Sequence, residues 1–80
     1  MEKSRITLTL IKPYAVEHGF VGHILARINE AGFRISAMKY LKLSYQEAAQ
    51  FYISHKGKTY YERLAEFMSS GPIVAAILEK

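Results

Sequence analysis

The sequence predicts an α/β (α+β) sandwich in which three short strands are separated by helical segments. Three observations carry that prediction. Residues 5–12 and 33–43 alternate in side-chain direction with a period of two, residues 73–78 form an unbroken apolar run, and the stretches between them repeat at helical spacing. The resulting order is β-α-β-α-α-β.

The first strand places Ile6, Leu8 and Leu10 on one face and Thr7, Thr9 and Ile11 on the other. It ends at Lys12-Pro13, where proline removes a backbone donor and fixes φ. Lys12 is in phase with the leucines, just beyond the stretch they are expected to bury. Ligands in α/β proteins are commonly held beyond strand ends, and a cation there suits a phosphate or a ribose hydroxyl. The plainer reading of Lys12 is a solvated lysine at a strand terminus.

A loop containing Glu17, His18 and Gly19 is expected next. Val21, Ile24, Leu25 and Ile28 then recur at helical spacing, with His23, Arg27 and Glu30 on the opposite face. Gly32 is the expected left-handed residue after that helix. His23 reads as a solvated surface residue, because no orienting carboxylate lies closer than the next turn.

In the second strand Phe33, Ile35 and Ala37 point one way, and Arg34, Ser36 and Met38 the other. The phase blurs at Lys39 and Tyr40, which predicts a bulge or an edge strand there. Ser44-Tyr-Gln-Glu47 has capping-box form and predicts a helix start, with Ala48, Phe51 and Tyr52 on its apolar side. The segment His55-Lys-Gly57-Lys58 breaks that helix. Thr59-Tyr-Tyr-Glu62 repeats the capping pattern and predicts another, with Leu64, Phe67 and Met68 as its buried stripe. Gly71-Pro72 stops it. The apolar run from Ile73 to Leu78 predicts a central strand buried on both faces. No internal repeat, linker or low-complexity tract interrupts this pattern. The order fits the ferredoxin-like fold, which has four strands. The chain is therefore expected to be one strand short, with an unpaired sheet edge prone to association.

Composition narrows the function classes. Eighty residues allow one domain at most, here 1–80. A core of this size rarely supplies more than ~3–5 kcal/mol, so oligomerisation or a further part of the fold is expected. The sequence has no cysteine, which excludes disulfides and thiolate metal sites. His18, His23 and His55 do not stand at familiar metal-ligand spacing, and no metal site is expected from protein residues. A net charge of +4 and a pI near 9.5 favour anionic ligands. The basic residues are scattered rather than clustered, so a nucleic-acid footprint is not favoured. No apolar run approaches the ~20 residues a membrane helix needs, and Met1–Arg5 lacks the apolar core of a signal peptide. A cytoplasmic domain with no membrane partner is the expectation.

Taken together, several segments resemble the nucleoside diphosphate kinase family along the whole chain. They are Leu10-Ile-Lys-Pro-Tyr-Ala-Val16, Ala31-Gly-Phe33, and Leu43-Ser44 opening a helix that reaches Phe51-Tyr52. They continue through His55-Lys-Gly-Lys-Thr-Tyr-Tyr61 and Phe67-Met-Ser-Ser-Gly-Pro72 to the final apolar strand. The resemblance implies transfer of the γ-phosphoryl group of a nucleoside triphosphate to a nucleoside diphosphate through a phosphohistidine, with Mg²⁺ bridging the phosphates. It implies that Lys12 holds the ribose hydroxyls and the adjoining phosphate region. Tyr52 corresponds to a tyrosine close to the phosphorylated histidine. Tyr60 stands where the family usually has a phenylalanine that stacks on the base, and Leu64 lines the same cleft one turn on. Hexamers or tetramers built from dimers are implied as well.

Three departures stand out. Tyr14 replaces the usual aspartate after Lys-Pro. The Arg-Pro-Phe-Phe stretch reads Lys58-Thr-Tyr-Tyr61, and lysine does not reproduce the bidentate contacts of arginine. None of His18, His23 or His55 stands in the Asn-x-x-His-Gly-Ser-Asp segment that carries the family's nucleophile. The expectation is a chain that keeps nucleotide-binding residues and lacks the reaction centre, incomplete at its C-terminal side. Two alternatives remain open: a non-catalytic nucleotide-binding, nucleic-acid-binding or assembly module on the same scaffold, and a basic ferredoxin-like domain of unrelated function.

Overall fold

The computed structural model describes residues 5–80; Met1–Ser4, part of the segment read above for a signal peptide, lie outside the described residues. The elements are β1 (Ile6–Ile11), α1 (Pro13–Glu17), α2 (Val21–Glu30), β2 (Arg34–Leu41), α3 (Tyr45–Phe51), a 3₁₀ turn (Ile53–His55), α4 (Tyr61–Met68) and β3 (Ile73–Glu79). The sheet runs in the order β1-β3-β2, and both pairings are antiparallel. Ferredoxin-like α/β architecture is thus the observed fold.

The apolar run takes the central place expected of it. Val74, Ala76 and Leu78 bury one face of β3 along its length, whereas on the opposite face only Ile73 is buried and Ala75 and Ile77 stay partly open, so burial on both faces holds at the Ile73 end alone. At one end of the sheet the α3–α4 pair packs on Ile73. Ala48, Ala65, Met68 and Ile73 form the buried cluster, and Leu10, Leu41, Leu43, Ala49, Tyr52 and Leu64 pack around it. Alanine at both helix positions lets the two helices approach closely, since interaxial distance follows the side chains at the contact. The Tyr61 hydroxyl then donates to the Ala49 carbonyl across the pair at 2.7 Å.

The helix ends obey local chemistry. Ser44 caps α3 with a complete capping box: its Oγ accepts from the Glu47 N–H at 3.1 Å, and the Glu47 carboxylate accepts from the Ser44 N–H at 2.8 Å. α2 ends at Gly32, φ +93°. The Gly32 N–H donates to Asn29 and the Phe33 N–H to Ile28, at 3.0 and 3.2 Å, which is the Schellman pattern. Gly19 ends α1 in the same way, with bonds from Gly19 to Val16 and from Phe20 to Ala15.

Several expectations are corrected. Glu17 belongs to a short helix, Pro13–Glu17, rather than to a loop with His18 and Gly19, because proline at the first helical position is pre-set for it. The sheet irregularity lies at Ile35/Ala37 rather than at Lys39 and Tyr40. Ser36 is the extra residue, and its hydroxyl donates to the Ile77 carbonyl at 3.2 Å. In β1 the leucine face is not buried throughout. Ile6 and Leu8 are exposed and Leu10 is half-buried, because the helix pair covers only the Leu10 end of that face; Ile11, on the opposite face, is buried. Phe51 and Phe67 are exposed rather than core, since Ala48 and the Ala65–Met68 pair occupy the inward positions of their helices. Thr59 caps nothing. The N-cap of α4 is Tyr60, without a side-chain cap, and the Tyr61 N–H is taken by the Lys58 carbonyl at 3.2 Å.

Candidate functional site

The hairpin between α3 and α4 concentrates aromatic and imidazole rings. Tyr52 follows the last residue of α3 and packs its ring on the buried cluster. Burial raises the pKa of its hydroxyl above the ordinary tyrosine value. Two backbone bonds then set the turn: the His55 N–H donates to Tyr52 at 2.8 Å and the Lys58 N–H to His55 at 3.0 Å. Gly57, at φ +92°, reverses the chain between them. As a result His55 stands 6.2 Å from the Tyr52 ring and 5.5 Å from the Tyr60 ring, centroid to centroid. His55 Nδ1 and the Tyr60 hydroxyl form a 2.7 Å hydrogen bond. Leu64 lies one helical turn beyond Tyr60, its N–H donating to the Tyr60 carbonyl at 2.9 Å.

The sequence-predicted residues therefore fall into two places. Tyr52, Tyr60 and Leu64 belong to one hairpin. Lys12 stands apart from it, exposed at the end of β1 as the N-cap of α1. Core packing connects the two: Leu10, two residues before Lys12, packs on the same buried cluster as Tyr52 and Leu64. Among the described residues the Lys12 ammonium has no ion-pair partner, whereas Arg34 is bound to Glu79 and held further toward its charged form by that hydrogen bond. A separate cleft of about 460 Å³ is lined by Pro13, Tyr14, Tyr40, Phe67 and Pro72, among others, and contains none of the four predicted residues. Tyr14 there stacks on His18 with ring centroids 4.1 Å apart.

His55, expected from the sequence only as part of the segment that breaks the helix, is joined to Tyr60 by the folded turn. The available signal was spacing: two polar rings five residues apart across a glycine.

The nucleoside diphosphate kinase family profile matches residues 5–80. The chain belongs to the nucleoside diphosphate kinase family. A nucleoside diphosphate kinase of Persephonella marina is 52% identical over 73 residues, which is 91% of this chain and 52% of that protein. The Campylobacter lari enzyme of the same name is 48% identical over 79 residues, or 99% of this chain and 56% of its own length. The chain thus spans about half the length of the curated relatives it matches. Among solved structures, nucleoside diphosphate kinase from Aquifex aeolicus superposes with a TM-score of 0.93 at 42% identity, covering 98% of this chain and 55% of that one. The halophilic nucleoside diphosphate kinase of Halobacterium salinarum, solved in complex with CDP, gives 0.92 at 27% identity, over 98% of this chain and 51% of its own. Within this nucleoside diphosphate kinase family member, the departures at Lys58 and Thr59 fall on exposed positions of the hairpin turn, and Tyr14 is exposed on α1.

Proposed function

We propose that these residues form the nucleotide-binding part of a nucleoside diphosphate kinase, which moves a γ-phosphoryl group from a nucleoside triphosphate to a nucleoside diphosphate. The observation that carries this reading is the backbone match, across 98% of the chain, to a family member in complex with CDP. Tyr60 offers an exposed π-face for the base, worth ~1–3 kcal/mol whatever the base. Leu64, on the same helix face, lines the apolar side of that platform. Lys12, free of an ion-pair partner among the described residues, places a cation for the ribose hydroxyls and the phosphates. Tyr52, packed on the buried cluster, takes the place beside the phosphorylated histidine in this reading.

In this reading the phosphoryl group passes to a histidine nitrogen and then to the second nucleotide, so that one difficult transfer becomes two easier ones. None of His18, His23 or His55 takes that part, because none has the motif of the nucleophile. Mg²⁺, when present, neutralises phosphate charge. Among the described residues no group of three His, Cys, Asp or Glu side chains forms a cage for an ion, so the metal in this reading comes with the nucleotide phosphates. Nucleoside di- and triphosphates are the partners, the subunits self-associate, and the setting is cytoplasmic; among the described residues no helix is long and apolar enough to cross a membrane.

The test is a transfer assay with this chain, supplying ATP, Mg²⁺ and GDP and following GTP. The expected result is nucleotide binding without transfer, and transfer once a segment carrying the Asn-x-x-His-Gly-Ser-Asp motif is joined after Lys80. Turnover by the eighty residues alone would place the nucleophile within them and overturn the assignment. The exposed apolar side chains of Leu8 and Tyr40 suit a second reading, a non-catalytic nucleotide-binding or assembly module. Binding that persists with no transfer in the extended chain would select it.

A further inference from the structure

The Tyr60 hydroxyl is not needed for stacking on a base, since a phenyl ring stacks as well. Yet in this chain it is engaged, at 2.7 Å from His55 Nδ1. Both ends of that contact are anchored. His55 is half-buried, and its backbone is hydrogen-bonded on both sides, to Tyr52 and to Lys58. The Tyr60 carbonyl is fixed by the Leu64 N–H at the start of α4. The Tyr60 side chain is otherwise open to solvent, 45% exposed. Exposed side chains change rotamer within picoseconds to nanoseconds, so a ring without the contact samples several orientations. A hydroxyl both donates and accepts, so the bond forms whichever imidazole tautomer is present.

We infer that His55 is a positioning residue: it clasps the Tyr60 hydroxyl and holds the long axis of the ring in one direction as a ready-made stacking platform for a nucleobase. This rests on the nucleotide-binding reading above. It assigns His55 a role outside the phosphoryl transfer, and it gives the tyrosine at position 60 a use that phenylalanine would not have. Preorganisation of this kind increases affinity by removing the ordering cost at the moment of binding. The effect is confined to ligands that carry a base.

The test measures Kd with three probes on the 80-residue chain: ADP, ribose 5-phosphate and inorganic tripolyphosphate. His55→Ala and Tyr60→Phe should each weaken ADP binding about three- to ten-fold, the range of one lost hydrogen bond. The double variant should lose no more than either single one, because both remove the same contact. Affinity for the two base-free probes should not change. Unchanged ADP affinity in both single variants would overturn the inference, as would an equal loss for all three probes, which would mark a merely structural role. Tyr60→Ala reports on the reading beneath it: if that variant binds ADP as the parent does, stacking on Tyr60 is wrong. A second measurement does not depend on nucleotide. Aromatic ¹³C relaxation of the Tyr60 ring in the free protein should show high order, falling in His55→Ala. Equal ring order in the two proteins would overturn the clasp even where ADP binds.

Discussion

Met68 and Ile73 are the largest side chains with almost no exposed surface, 0% and 1%. They join the helix pair to the sheet, so a cavity at either position loosens both. Ile73→Ala should cost ~2–5 kcal/mol, a large part of the ~3–5 kcal/mol that a core of this size supplies. Urea unfolding should show a large drop in the midpoint with little change in slope; a drop worth less than about 1 kcal/mol would mean the cluster is not the core. Tyr52 contributes differently. Burial raises its hydroxyl pKa in the folded state, so the folded chain holds the proton that the unfolded chain releases. Its contribution to stability is complete below the ordinary value of 10.0 and is lost as pH rises through the higher folded value. Stability should therefore fall on the alkaline side of pH 10.0, and Tyr52→Phe should flatten part of that decline. An unchanged alkaline slope in the variant would rule out burial of this hydroxyl as its source.

At the scale of elements, α3 has only seven residues and owes its start to Ser44 and Glu47. Ser44→Ala removes the acceptor for the Glu47 N–H and should cost about 1 kcal/mol. Glu47→Gln keeps an acceptor for the Ser44 N–H and should cost less than half of that, roughly 0.5 kcal/mol or below. Equal losses in thermal melts of the two variants would show that the Glu47 charge supports this helix start as much as the Ser44 bond does. The Ser44 cap was legible because its chemistry is local and complete within four residues. The Gly32 helix end and the central position of residues 73–78 were legible for similar reasons: one needs a left-handed residue, the other an unbroken apolar run. The Thr59 cap had the same letters and failed, because α4 starts one residue later: Tyr60 is its N-cap, which takes Thr59 out of the capping position. Phe51 and Phe67 misled for a different reason. Helical period identifies an apolar stripe, but which edge of it faces inward depends on partners from other elements, here Ala48, Ala65 and Met68. The site shows the same division. Lys12 was singled out by its place at a strand end, and Tyr52, Tyr60 and Leu64 were assigned roles only by family resemblance, while the His55–Tyr60 bond depends on a turn whose closure only the folded backbone reveals.

For the whole molecule, the decisive feature is a sheet that its helices cover unevenly. The α3–α4 pair protects the Leu10, Leu41 and Ile73 end. Toward the other end Leu8, Ala37, Met38, Ala75 and Ile77 border an open, mostly apolar hollow with Lys39 on its β2 side, and Leu8 is 47% exposed. On β2 Tyr40 is 67% exposed. β1 and β2 are the outer strands of the described sheet, so each presents backbone donors and acceptors on one side. The net charge of +4 opposes association only weakly, and salt screens it over ~10 Å at 0.1 M. The chain should therefore self-associate, and association should strengthen as salt is raised. Leu8→Lys places a charge on the β1 side of the hollow, a device by which sheet proteins keep their edges apart. Because Leu8 lies outside the buried cluster, this variant should keep the parent's far-ultraviolet circular dichroism. In sedimentation velocity the parent should shift to faster species with concentration, while Leu8→Lys stays as a single slow species over the same range. A parent that remains monomeric at high concentration and high salt would show that these outer strands and the open apolar face do not bring copies together.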